Sequence, residues 1–202
     1  NNYCFHVKAQ WDSDDYGLVE SKSSNVACAT PFAVGDANFD SDITIEDVLV
    51  LVDFILEETT PSSAAFNNSD VNMDDVLNIA DVVMVVDIIS GNSTARVANY
   101  GSFASLDLIP NYNTSDLTVN LSYDGGLKGL EFDIEYDSDI LSLSAPSLVV
   151  MQENVVSTFN HIDEGLIKVI VFDIDGDFII PNENNDLLKM SFNFFGDVLD
   201  KS

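Results

Sequence analysis

The feature that most constrains this chain is a loop pattern written twice. The first copy reads Asp36-Ala37-Asn38-Phe39-Asp40-Ser41-Asp42-Ile43-Thr44-Ile45-Glu46-Asp47 and runs into the apolar stretch Val48 to Leu56. The second reads Asp70-Val71-Asn72-Met73-Asp74-Asp75-Val76-Leu77-Asn78-Ile79-Ala80-Asp81 and runs into Val82 to Ile89. Oxygen-bearing side chains recur at the first, third, fifth, ninth and twelfth places of each copy. The seventh place, Asp42 or Val76, adds a main-chain carbonyl. Alternate residues of a tight turn can point at one centre, and this spacing supplies the six to eight oxygens that a hard cation takes.

The residues around the pattern fit that purpose. An apolar eighth place, Ile43 or Leu77, lets each loop lean on a core while its oxygens face the ion. Thr44 and Asn78 are good helix N-cap types, so the twelfth-place Asp47 and Asp81 fall inside the helix that follows. The expected metal ligands are therefore Asp36, Asn38, Asp40, Asp42, Thr44 and Asp47 for one Ca²⁺, and Asp70, Asn72, Asp74, Val76, Asn78 and Asp81 for a second. This is EF-hand-type loop spacing.

Residues 31–93 as a whole resemble a dockerin module, which carries two loop–helix repeats with Asp at the twelfth place and no helix entering the loop. Pro31 and the Thr60-Pro61-Ser62-Ser63 cluster stand where an entering helix would lie. The resemblance implies two bound Ca²⁺ and a protein partner. Two positions depart from the pattern. The sixth place, usually Gly, is Ser41 or Asp75. The tenth and eleventh places, a Ser-Thr pair in many dockerins, are Ile45-Glu46 and Ile79-Ala80.

The helices after the loops are apolar almost all round. Ile45, Val48, Leu49, Val52, Ile55 and Leu56 form one expected face of the first, with Val50, Leu51 and Phe54 behind. Ile79, Val82, Val83, Val86 and Ile89 form the matching face of the second, with Met84, Val85 and Ile88 behind. One face is buried by packing the helices together. The other requires either a partner protein or a neighbouring segment of the same chain.

Composition bounds the rest. Seven Lys+Arg against 35 Asp+Glu give a formal charge of −28, which disfavours nucleic acid and anionic membrane surfaces. Apolar residues make up 46% of the chain, enough for packed cores rather than an acidic tail. The apolar runs are far shorter than the ~18 residues of a membrane span. No signal-like start is visible, so any export signal is expected to have been removed or to lie outside this sequence. Cys4 and Cys28 read as a disulfide in an extracellular setting. Asn67, Asn92, Asn113 and Asn120 sit in Asn-x-Ser/Thr sequons compatible with surface N-glycans.

Residues 1–30 read as two strands, Tyr3–Ala9 and Ser23–Thr30, around an acidic turn at Asp12–Asp15. The Tyr3-Cys4, Val7-x-Ala9 and Ser24-Asn25-x-x-Cys28 pieces resemble the last two strands of a fibronectin type III domain. After Gly91 the pattern turns to strands, at Phe103–Ile109, Leu117–Tyr123, Lys128–Tyr136, Ile140–Leu143, Val155–Phe159, Leu166–Phe172 and Leu187–Phe195. Leu130, Phe132, Ile134 and Tyr136 alternate with Glu131, Asp133 and Glu135, as in a half-buried strand. Turn signals fall at Asp124-Gly-Gly, Asp175-Gly and Pro181-Asn. The Leu117–Ser122 run, the Tyr136-Asp137-x-x-x-Leu141 turn and the Leu187–Phe192 run resemble a cohesin-like β-sandwich.

No glycine-rich phosphate loop, nucleophile elbow or His-rich metal motif is present. His6 and His161 lack companion ligands or a nucleophile. The Asp173-Ile-Asp175-Gly-Asp177 run reads as a solvated acidic turn. The expected architecture is multidomain and mainly β with a small α module. It comprises partial fibronectin III-like strands at 1–30, the dockerin-like loop–helix pair at 31–93 and a cohesin-like antiparallel sandwich at 94–202. The expected function is non-catalytic: a calcium-stabilised extracellular structural protein, such as a filament or surface-scaffold subunit joined to its own copies by strand complementation. One alternative is the tethering fragment of a larger secreted enzyme. Another is a rigid calcium-bound spacer between two β-domains.

Overall fold

Four short strands at the N-terminus pair as one interrupted hairpin: β1 (Tyr3–Phe5), β2 (Gln10–Ser13), β3 (Gly17–Glu20) and β4 (Ala27–Ala29). Strand β1 pairs antiparallel with β4, and β2 with β3. The computed structural model describes residues 3–29, 33–92, 104–150 and 152–195. The chain divides into two compact units, Asn1–Ala33 and Val34–Ser202.

The expected single strand Tyr3–Ala9 is split because the two arms of the hairpin are unequal. Phe5 pairs with Ala27 and Gln10 with Glu20, so residues 6–9 face residues 21–26. Serine hydroxyls fill the interruption. The Oγ of Ser21 accepts from Ala9 N, and that of Ser24 accepts from Val7 N, each at 2.9 Å. The turn also lies later than expected, since Asp12 and Ser13 belong to β2. Tyr16 N donates to Ser13 O, and Gly17 takes φ 68°, a left-handed position that glycine accepts without Cβ strain. Cys4 and Cys28 are direct cross-strand partners and form a disulfide. Phe5, Val7, Trp11, Tyr16, Leu18 and Val26 of this hairpin are exposed.

The larger unit begins with three helices, α1 (Ile45–Ile55), α2 (Ser63–Ser69) and α3 (Ile79–Ile89). Strands β5 (Ala104–Asn111), β6 (Asp116–Tyr123), β7 (Gly129–Glu135), β8 (Leu141–Leu143), β9 (Ser147–Leu148), β10 (Val155–Asp163), β11 (Leu166–Asp173) and β12 (Asp186–Phe194) follow. They form two antiparallel sheets. One has the order β10-β11-β7; the other has β5-β6-β12-β8, with β9 also paired to β12. The two-residue β9 carries too little pattern to be read from sequence. The start of the expected strand at Phe103 lies outside the described residues, as does the stretch around residues 93–103 between the helices and β5.

Strand β11 explains how the layers stack. Ile167, Val169 and Val171 enter the core between the sheets with Val119, Leu121, Ile134, Leu187 and Leu188. Ile170 and Phe172, on its opposite face, join Val48, Leu51, Val52, Ile55, Val82, Val85 and Val86 of the helices. The small sheet is therefore buried on both faces, and the unit has three layers: helices, three-stranded sheet, five-stranded sheet. The chain itself covers the second apolar helix face. The expected faces also need correction. Ile45, Leu49 and Ile89 are exposed at 42%, 56% and 39%, while Leu51 and Val85, expected behind, are buried.

Candidate metal centre

Both loops take left-handed backbone at the same two places. Phe39 and Met73 at the fourth places take φ of 66° and 62°, and Ser41 and Asp75 at the sixth places take 79° and 65°. Alternating left-handed residues curl each loop into successive side-chain-to-main-chain turns. In the first loop Asn38 Oδ1 accepts from Asp40 N at 2.8 Å and Asp40 Oδ1 from Asp42 N at 2.9 Å. In the second, Asn72 Oδ1 accepts from Asp74 N and Asp74 Oδ1 from Val76 N, both at 2.9 Å. The third-place amides donate to the fifth-place carboxylates, Asn38 to Asp40 and Asn72 to Asp74, also at 2.9 Å.

The ninth and twelfth places are shared with the helix starts. Thr44 and Asn78 are N-caps of α1 and α3, and with Asp47 and Asp81 at N3 each forms a reciprocal capping box. Asp47 and Asp81 are fully buried. Asp47 Oδ1 accepts from Asn38 N at 3.1 Å and Oδ2 from Thr44 N at 2.8 Å. Asp81 Oδ1 accepts from Val71 N and Asn72 N, and Oδ2 from Asn78 N. Burial pushes the Asp81 carboxyl above its ordinary value, and the charge of Asp70 adds to this, against the lowering effect of those three N–H groups. Ile43 and Leu77 at the eighth places pack against the helix core.

Sequence reading expected no helix before either loop, yet α2 ends immediately before Asp70. The Pro61-Ser62-Ser63 cluster is a helix start rather than a break. Ser62 is the N-cap and accepts from Ala65 N at 3.1 Å.

The first-place carboxylates differ between the loops. Both oxygens of Asp70 accept main-chain N–H groups, from Asp74 at 3.1 Å and Asp75 at 3.0 Å. Asp36 Oδ2 accepts from Ser41 N across its loop, but Asp36 Oδ1 is buried and has no hydrogen-bond partner. A buried carboxylate oxygen without a donor is costly, and a hard cation held by the surrounding oxygens would satisfy it. The residues thus fit such an ion. Among the described residues, no three His, Cys, Asp or Glu side chains are gathered into a metal cage. The oxygen set of these loops also draws on Asn side chains and main-chain carbonyls.

Polar contacts that sequence reasoning missed fix the helices to the small sheet. Ile79 N donates to Glu131 Oε2 at 3.2 Å, Lys128 Nζ pairs with Asp87 Oδ1 at 2.6 Å, and Asn160 Nδ2 donates to Leu56 O at 2.9 Å. Lys168 lies 3.3 Å from Glu57 and 3.8 Å from Glu131. A Cβ on Gly129 would lie 2.9 Å from Ile79 Cγ1 and Val83 Cγ2, so glycine there lets α3 approach β7 closely. Glu131 reads from the sequence as an outward-facing residue of a half-buried strand. Nothing in that local alternation reveals the helix packed on the other face.

The remaining candidates fall elsewhere. Asp173 is buried rather than solvated, and its Oδ1 accepts from Asp175 N and Asp177 N. His161 is exposed and meets the edge of the Phe159 ring at 5.9 Å. Of the sequons, Asn67, Asn92 and Asn113 are exposed. Asn120 is half-buried, and its amide donates to Asn184 O and Asp186 Oδ1. Among the described residues no helix is long and apolar enough to cross a membrane.

No protein-family model and no curated protein matches the chain. Among solved structures, the chain is similar to a cohesin module from the family 33 glycoside hydrolase of Clostridium perfringens ATCC13124. That likeness has 13% identity and a TM-score of 0.35, covering 48% of this chain and 72% of the other.

Proposed function

We propose that the chain is a non-catalytic, calcium-stabilised extracellular structural protein that assembles with other proteins or with its own copies. The observation that carries this reading is the continuity from loop to core. Each candidate cation loop rests its eighth-place residue on the helix core, and its twelfth-place Asp caps a helix packed on Ile170 and Phe172 of the sandwich. One Ca²⁺ would be held by Asp36, Asn38, Asp40, Thr44, Asp47 and the Asp42 carbonyl. The other would be held by Asp70, Asn72, Asp74, Asn78, Asp81 and the Val76 carbonyl. A bound ion supplies positive charge among acidic side chains. The chain's own residues convert that into fixed helix starts and a fixed helix layer.

The covered helix face favours a structural role over dockerin-type tethering through that face. Assembly contacts then fall on the sheet edges and the hairpin. Strands β5, β7 and β10 are edges of their sheets, and an unpaired edge can accept a strand from another chain. A head-to-tail contact of that kind builds a filament unless it closes. The Cys4–Cys28 disulfide suits an oxidising, extracellular setting, where Asn67, Asn92 and Asn113 would be accessible to glycosylation.

Size-exclusion chromatography with light scattering, and negative-stain imaging, before and after EGTA test the proposal. Large or fibrous assemblies that dissolve on chelation are expected. A monomer under both conditions overturns the assembly half, and unchanged stability on chelation overturns the calcium half.

A further inference from the structure

We infer that Asn68 couples the two loops, so that a cation in one raises the affinity of the other. This rests on the cation reading above and goes beyond it by making the pair one cooperative unit. Asn68 sits at the end of α2, two positions before the first-place Asp70. It is 3% exposed. Its Nδ2 donates to Asp36 O at 2.7 Å, and its main-chain O accepts from Gly35 N at 2.7 Å. The entry to the first loop is thus bonded to the residue that leads into the second. Both bonds involve a buried residue, where hydrogen bonds are strengthened by the low local dielectric.

The loops do not enter this linkage equally. Asp70 is held by its own loop's N–H groups, whereas Asp36 Oδ1 is buried without a partner. A cation in the first loop therefore fixes a residue that is otherwise incompletely held. Through Asn68 it also fixes the end of α2 and the approach to Asp70. Asn68 keeps its own Oδ1 buried without a partner, a cost that an apolar residue filling the same space would not carry. By linkage, whatever the first loop does for the second, the second does equally for the first.

Residue-resolved NMR of the ¹⁵N-labelled full chain, titrated with Ca²⁺, tests this through the Ser41 and Asp75 amides, one in each loop. Asp74→Ala disables the second loop. In the native background it should abolish the Asp75 response and raise the Ca²⁺ concentration that half-saturates Ser41 by about fivefold or more. Asn68→Ala removes the side-chain bond to Asp36 O but keeps the Gly35 N bond to the main-chain oxygen. In that background Asp74→Ala should shift Ser41 at least about twofold less than in the native background. Asn68→Leu, which keeps the volume, serves if Asn68→Ala does not fold. An equal shift in both backgrounds, or no shift in the native one, overturns the coupling while leaving calcium binding intact. No Ca²⁺-dependent shift at either amide overturns the calcium reading and the coupling with it.

Discussion

Ser41 and Asp75 hold left-handed backbone at positions where glycine would carry no Cβ penalty. Asp visits that region more readily than Ser because its short polar side chain bonds locally. Ser41→Gly should therefore raise stability by about 1 kcal/mol, or roughly 2–4 °C in Tm, and Asp75→Gly by less. Thermal melts of the two variants check the order; a larger gain at Asp75 would contradict it. Glu131 offers a second residue-scale test. Burial holds its carboxyl above the ordinary glutamate value, against the lowering effects of the Ile79 N–H and Lys168. A raised carboxyl contributes stability that is complete below the unfolded-state value and lost as pH rises through the folded one. Glu131→Gln keeps an acceptor for Ile79 N and removes the buried charge. Relative to the native chain, its stability should improve between about pH 4 and about pH 7. Urea melts at both ends of that range would show a constant gap if the charge were immaterial.

At the scale of elements, the question is what keeps α3 on the sheet. Its inner face supplies apolar contact, Gly129 allows the close approach, and the Lys128–Asp87 pair ties its C-terminal half to the start of β7. Asp87 is 4% exposed, so removing one partner leaves a poorly solvated charge. Asp87→Ala alone should cost about 3 kcal/mol. Combining it with Lys128→Met should recover part of that loss, because the orphaned ammonium is gone. Denaturant unfolding of the single and double variants measures the difference. A double variant as unstable as the sum of the singles would mean that the pair does not act as a unit.

For the molecule as a whole, the helices and the sandwich belong to one compact unit, Val34–Ser202. Anything that tightens the loops should therefore be felt in the β-core. Calcium at about 100 times its dissociation constant adds about 2.7 kcal/mol per independent site that binds only the folded state. The far-UV helix signal and the near-UV tyrosine signal of the sandwich should rise together in Tm and remain coincident. A helix transition that shifts while the sandwich transition stays would show that the shared core does not carry the effect.

The loops were legible because their information is local. Oxygen spacing, N-cap types at Thr44 and Asn78, and an apolar eighth place all lie within a dozen or so consecutive residues. The strands of the sandwich were legible for the same reason, through period-two alternation and turn residues. What local pattern could not convey was the partner of each surface. Glu131 looks solvent-facing in a strand that alternates, and only the helix layer gives it an N–H partner. The Pro61-Ser62-Ser63 stretch looked like a break, but proline and serine also precede helix starts, and seven residues carry too little periodicity to decide. Residue order alone therefore determined the candidate cation loops, the longer strands of the sandwich and the cysteine pair. Tertiary packing decided that one sheet would be buried on both faces, that the second apolar helix face would be covered from within the chain, and that Asn68 would join the two loops. Those outcomes depend on contacts between residues far apart in sequence, which no window of neighbouring residues records.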